Sequence, residues 1–254
     1  MTAAPVTLEA LTAAFALPPG EPTRRVPKAT LAENVPTAAD RRLIDGKLAR
    51  LEWIAAINPA TTGIPAGEND GLTIDTINLL AAQTRGPIPP RLAEIIHRTI
   101  PKPVILVHRD EGSGMGAALS LAPKRAAERE AGRVVTTALF DTGPISSGDA
   151  AFLAELALPD LPTRDLAALY GGLIERVEAL AAARAYGRSY RIAEAPGQAA
   201  IWRDALAAIA ALEAEIAHLG ATIRKESRLA AKVELGESVR QLKSRLDEQR
   251  MLLK

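Results

Sequence analysis

From Gln198 to Lys254, leucine and isoleucine recur at three- and four-residue steps through a run of charges without proline, the period of an amphipathic helix. The spacing predicts one long helix, about 85 Å at a rise of about 1.5 Å per residue, too long to lie within the core of a domain of this size. One apolar seam runs through Ile209, Leu212, Ile216, Leu219, Ile223, Ala230 and Val233, and a second through Leu235, Val239, Leu242, Leu246 and Leu253. Extending the first seam would call for Glu237, Arg240 and Ser244, so the stripe changes phase between Val233 and Val239, and Gly236 marks an expected bend. Upstream, Leu166, Leu169, Leu173, Val177 and Leu180 predict a helix over residues 163–186 that folds back along the first half of the long helix. Gly187 to Gly197, with Pro196, supplies the turn. At roughly 36 Å, the shorter helix covers the first seam only, which leaves the second without an internal partner.

The N-terminal part has another rhythm. Thr7 to Leu17 predicts a short helix stopped by Pro18-Pro19-Gly20, and Glu21 to Lys28 an extended segment. Thr37 caps a predicted helix over residues 38–50, and residues 51–57 and 71–80 predict strands. Pro89-Pro90 opens a helix with the stripe Leu92, Ile95, Ile96 and Ile100, closed by Pro101. The unbroken run Val104 to Val107 is expected to be a strand covered on both faces. Gly112 to Gly116 reads as a hairpin turn into a strand at Ala117 to Ala122; after the polar segment Lys124 to Arg133, Val134 to Phe140 completes three antiparallel strands. Asp149 to Leu158 predicts a short helix, and the strand signal ends there. The expected class is α+β: a mixed or antiparallel sheet with flanking helices over residues 1–145, a helical connector and αα-hairpin arm over 146–197, and a long coiled-coil-like helix over 198–254.

Composition narrows the function classes. With 254 residues, 48% apolar and 24% charged, the chain can bury a real core. A net charge of +1 gives no overall field toward nucleic acid or an anionic membrane, so any basic patch is local. The absence of cysteine excludes disulfides, thiolate nucleophiles and Cys-ligated zinc, and fits the cytoplasm. The N-terminus lacks the basic start of a signal peptide, no window reads as the roughly 20 apolar residues that span a bilayer, and no membrane association is expected.

Candidate chemistry is sparse. His108-Arg109-Asp110 spells a tripeptide of kinase catalytic loops, but without a glycine loop, strand lysine or Asp-Phe-Gly it reads as a strand end. His97, His108 and His218 have no ligand spacing, and the neighbours of His97 and His218 suggest exposure, so neither a metal nor a cofactor is expected. Asp75, on a predicted strand, is the residue a restriction-type nuclease would use for magnesium, yet no acidic-x-Lys pair follows it. Two basic groups could contact phosphates: Arg24, Arg25 and Lys28, and the tail residues Arg224, Lys225, Arg228 and Lys232. The uncovered seam, Leu235, Val239, Leu242, Leu246 and Leu253, is the expected protein-binding face.

Val26-Pro-Lys28, Leu51-Glu-Trp53-Ile, Asn58-Pro-Ala-Thr-Thr, Ile64-Pro-Ala-Gly67, and Ile95 to Pro101 leading into Val104-Ile-Leu-Val107 resemble an uncharacterised bacterial family, domain of unknown function 4391. Residues 224–235, Arg-Lys-Glu-Ser-Arg-Leu-Ala-Ala-Lys-Val-Glu-Leu, resemble its C-terminal helical motif, with Gly236 where that motif has Asn. Its members are often encoded beside helicase and DNA-methyltransferase genes in restriction or phage-defence clusters. The resemblance implies a partner, a helicase or methyltransferase subunit or a second copy, and carries no catalytic residues. Two expectations follow: an accessory interaction subunit, or a nucleic-acid binder or metal-dependent nuclease built on the N-terminal domain.

Overall fold

The computed structural model describes residues 3–35, 37–126, 134–195 and 197–254. In chain order the first elements are α1 (Leu8–Ala13), β1 (Arg24–Arg25), α2 (Lys28–Ala32), α3 (Ala38–Lys47), β2 (Leu48–Ile57), α4 (Pro59–Thr62), β3 (Gly67–Asn69) and β4 (Leu72–Ile74). There follow β5 (Ile77–Thr84), α5 (Pro90–Thr99), β6 (Val104–Asp110), β7 (Ala118–Leu121), β8 (Lys124–Ala126), β9 (Val134–Thr136), β10 (Phe140–Asp141), α6 (Ala150–Ala154), α7 (Leu166–Tyr186), α8 (Gln198–Lys225) and α9 (Leu229–Met251). The expected polar segment beyond Ala126, and Pro196 in the expected turn, lie outside the described residues. The chain forms two compact units, Met1–Val177 and Glu178–Lys254, which part within α7. Residues 146–177, read from sequence as the start of a connector, thus cluster with the sheet.

The first unit carries a six-stranded sheet in the order β1-β2-β5-β6-β7-β10. β5 and β6 are parallel and every other pairing is antiparallel, so the sheet is mixed. Val104 to Val107 are buried without exception, as the unbroken apolar run requires of a strand covered on both faces. Alternation along β6 puts Val104 and Leu106 in one core with Leu92, Ile95 and Ile96 of α5 and Ile44 of α3. Asp40 fastens these helices, its two oxygens accepting from Nε (2.9 Å) and a terminal nitrogen (2.8 Å) of Arg91. The predicted strand over 71–80 is in fact β4 and β5, parted at Asp75-Thr76, because β4 turns away to pair with β3. The helix expected to reach Arg50 yields to β2 at Leu48, whose ladder to β5 starts there.

Further along, Tyr170 of α7 reaches the sheet. Its hydroxyl lies 2.9 Å from the Val104 carbonyl, to which it donates, and accepts the Ala122 N–H, also at 2.9 Å. The N-terminal segment is stitched in likewise: Val6 N–H donates to Ile145 O, and Ala117 N–H to Val6 O. A Cβ on Gly116 would lie 1.8 Å from the Ile145 carbonyl oxygen, so only glycine lets these backbones approach.

In the second unit the single helix expected over residues 198–254 is two. α8 ends at Lys225, Glu226 and Arg228 take extended conformations, and α9 runs back against α8 as a hairpin. The break owes nothing to Gly236, which sits inside an unbroken α9. Instead, Glu226 Oε1 accepts the N–H groups of Ser227 and Arg228, holding the turn between the two helices. Trp202, Ala205, Ile209 and Leu212 pack with Leu242, Leu246 and Leu253, and with Ala179 and Ala182 of α7. Arg188 closes the base, stacked 4.6 Å from the Trp202 ring centre and donating to Leu253 O. Glu178, buried in the same unit, is held by Arg203 through two bonds of 2.5 and 2.8 Å.

Replacing Tyr170 by Phe keeps the ring but strands the buried Ala122 N–H and Val104 C=O. The first unit is expected to lose about 1–3 kcal/mol in chemical denaturation; an unchanged midpoint would show that the hydroxyl bonds contribute nothing net.

Candidate functional sites

The hairpin changes the meaning of the second seam. Leu242, Leu246 and Leu253 are buried against α8, and Leu235 and Val239 are half-buried, so the expectation of a seam without an internal partner is overturned. The phase change in the apolar stripe is the signature of chain reversal, each helix presenting its own stripe to the other. Burial thins toward the turn: after Leu212, Ile216, Leu219 and Ile223 are only half-buried, and beyond the turn Leu229 and Val233 are 78% and 56% exposed. Arg224, Lys225, Arg228 and Lys232, read from sequence as a stretch of helix, converge at the same turn. By length and composition α8 is also apolar enough to cross a membrane, with a mean hydropathy of 1.5 over 18 residues. This amends the expectation that no window comes close; alanine supplies much of that apolarity.

The N-terminal cations are partly gathered. Arg24 and Arg25 line a groove of about 510 Å³ with Trp53, Pro27 and Asn58. Arg24 pairs with Glu21 and lies 5.8 Å over the Trp53 ring, whose Nε1 donates to Asn78 Oδ1. Lys28 opens α2 and does not line the groove. Asp75 lies between strands, half-exposed and ion-paired with Lys102 at 2.6 Å, so the strand carboxylate that a nuclease reading needs is not there. Among the described residues no group of three or more His, Asp or Glu side chains is arranged to hold a metal ion.

A polar cluster missed by the sequence reading lies under α5. His97, expected on an exposed face, is fully buried, with Nε2 2.8 Å from Ser120 Oγ. Two strands of the sheet bring its neighbours. His108 of β6 pairs in register with Ala118, and Asp141 of β10 with Ser120. Because Ala118 and Ser120 are small, imidazole and carboxylate meet above β7, with His108 Nε2 2.8 Å from Asp141 Oδ2. Burial would raise the Asp141 pKa, but the hydrogen bonds from His108 and the Gly143 N–H hold it below the usual carboxylate range. Burial, aided by the charge of Lys124, pushes the His97 imidazole down to about 3. Lys124, itself buried and lowered to about 8 by desolvation, donates to the carbonyls of Ile100 and Lys102. The His108-Arg109-Asp110 tripeptide does end its strand, and Asp110 Oδ1 accepts the N–H groups of Gly86 and Gly112. Nothing in the spacing of His97, His108 and Asp141 announces their meeting, which depends on strand register across β7.

The fold is thus a mixed α/β sheet domain followed by a helical region, and the class of protein is settled by the family. The model described as Domain of unknown function (DUF4391) matches residues 15–246, and the chain belongs to that family. No curated protein and no solved structure matches it.

His97 supplies a pH dependence. Its folded-state pKa, about 3, lies below the unfolded value of 6.5, so the unfolded chain takes up the proton first. Stability is full above about pH 6.5 and falls with pH toward about 3, by a few kcal/mol at most. His97→Gln keeps an amide for Ser120 and cannot titrate; between pH 7 and about 4.5 its denaturation midpoint is expected to fall less than that of the wild type. Equal falls would remove His97 as the cause.

Proposed function

We propose that this protein is a non-catalytic accessory subunit that docks through the turn end of its C-terminal hairpin on an acidic surface of a larger cytoplasmic protein. The observation that carries this is the coincidence at one turn of exposed Leu229 and Val233 with Arg224, Lys225, Arg228 and Lys232. Apolar anchors ringed by cations suit a partner with a hydrophobic cleft and a carboxylate rim. Leu235 and Val239, half-buried, extend that face, whereas Leu242, Leu246 and Leu253 serve the hairpin itself. The gene neighbourhood of the family makes a helicase or methyltransferase subunit of a restriction or phage-defence system the partner to try first.

Each exposed side chain, if buried at an interface, is worth about 1.5–3 kcal/mol, so Leu229→Asp with Val233→Asp is expected to weaken the complex by more than about tenfold. Co-expression with neighbouring helicase or methyltransferase products, followed by mass determination, reads this out, and the complex should loosen with added salt. An undiminished complex, or self-association in place of a heteromer, would overturn the reading. Leu246→Asp is a poor probe, since it breaks the hairpin.

A second reading, nucleic-acid binding, is favoured by the groove that joins Arg24 and Arg25 to Trp53. Stacking on the ring with phosphates on the two cations suits a single strand. Arg24→Gln with Arg25→Gln is then expected to lower the slope of log affinity against log salt for a single-stranded oligonucleotide by about 1.4. No binding at low salt would dispose of it.

A further inference from the structure

The cavity beside the His108–Asp141 pair has no part in docking through the hairpin. It measures about 300 Å³, and its walls include Ile88, Ala93, Ala118 and Leu139, with His108 and Asp141 among its polar groups. It lies past the carboxyl ends of the two parallel strands. Its mouth is fixed. Asp110 ties the loop after β5, through Gly86, to the loop after β6, through Gly112, and Gly116 is pinned against Ile145.

We propose that this cavity binds a small neutral molecule with an apolar body and one hydroxyl or N–H donor, received by Nδ1 of His108. Asp141 Oδ2 can only accept, and Oδ1 is occupied by the Gly143 N–H at 2.7 Å. A donor is received by the Nε2–H tautomer of His108, whose proton faces the carboxylate and whose Nδ1 keeps its lone pair. Nδ1 has no hydrogen-bond partner in the protein among the described contacts and is not sealed from solvent. A ligand anion would meet that lone pair and the Asp141 charge together, whereas a donor completes the chain donor–Nδ1, Nε2–H–carboxylate. The volume is at the lower end of ligand pockets and suits a molecule of about one substituted ring.

The test uses phenol as the probe and toluene as its hydroxyl-free counterpart, titrated into the full-length chain with 15N-labelled histidine. In the free protein the His108 nitrogens should report the Nε2–H tautomer. Phenol is expected to shift Nδ1 saturably in the millimolar range usual for fragments of this size, and toluene to leave it in place. His108→Phe should remove the response. Should that variant not fold, Met115→Trp, made at an exposed position of the mouth, should remove it by blocking entry. The opposite tautomer, equal responses to phenol and toluene, no saturable shift at concentrations on the order of tens of millimolar, or a response that persists in Met115→Trp would each overturn the proposal.

Discussion

The parallel pairing of β5 with β6 is the constraint on which the first unit is organised. Two adjacent strands buried on both faces have no water for their backbone groups, so each needs a neighbour on its other edge, and β2 and β7 provide them. A parallel pair also needs a long return path, which α5 fills, and that places a helix over one face of the sheet. From this one arrangement come the core of Leu92, Ile95 and Ile96, the burial of His97, and a cavity where α5 starts beside the strand ends.

The second unit depends on a different economy. Apart from Trp202 its buried side chains are mostly Ala, Leu and Ile, and two helices plus the end of α7 cover little of one another. Packing is therefore concentrated at the base, where Trp202, Arg188 and the Arg203–Glu178 pair lie. Nearer the turn the helices hold each other only along one line, and the apolar residues past it are left in solvent. An exposed apolar end is what this distribution leaves over.

Much of the sheet could be read directly from the chain. The run Val104 to Val107, the stripe Leu92, Ile95 and Ile96, and the Thr37 cap each encode their element locally, and the structure has all three. The break at Glu226 could not be read in the same way, because no Pro or Gly marks it and the turn is held by a glutamate bonding to its own neighbours. The stripe's change of phase held the information, but a bend and a reversal leave similar traces in a linear pattern. Of the candidate sites, the cations around the turn were legible as residues and not as a cluster. The His108–Asp141 pair was illegible, since its members are 33 residues apart and meet only through pairing with β7. His97 misled because a histidine among charged neighbours reads as surface, while Ser120 waited on a strand not adjacent in sequence.

The family match begins after Val6 and stops before Leu253. Yet Val6 bridges Ile145 and Ala117 in one unit, and Leu253, fully buried, receives Arg188 in the other. A fragment trimmed to the matched residues would keep every named strand and lose one clasp from each unit. Expression work on this chain is better served by leaving both margins in place.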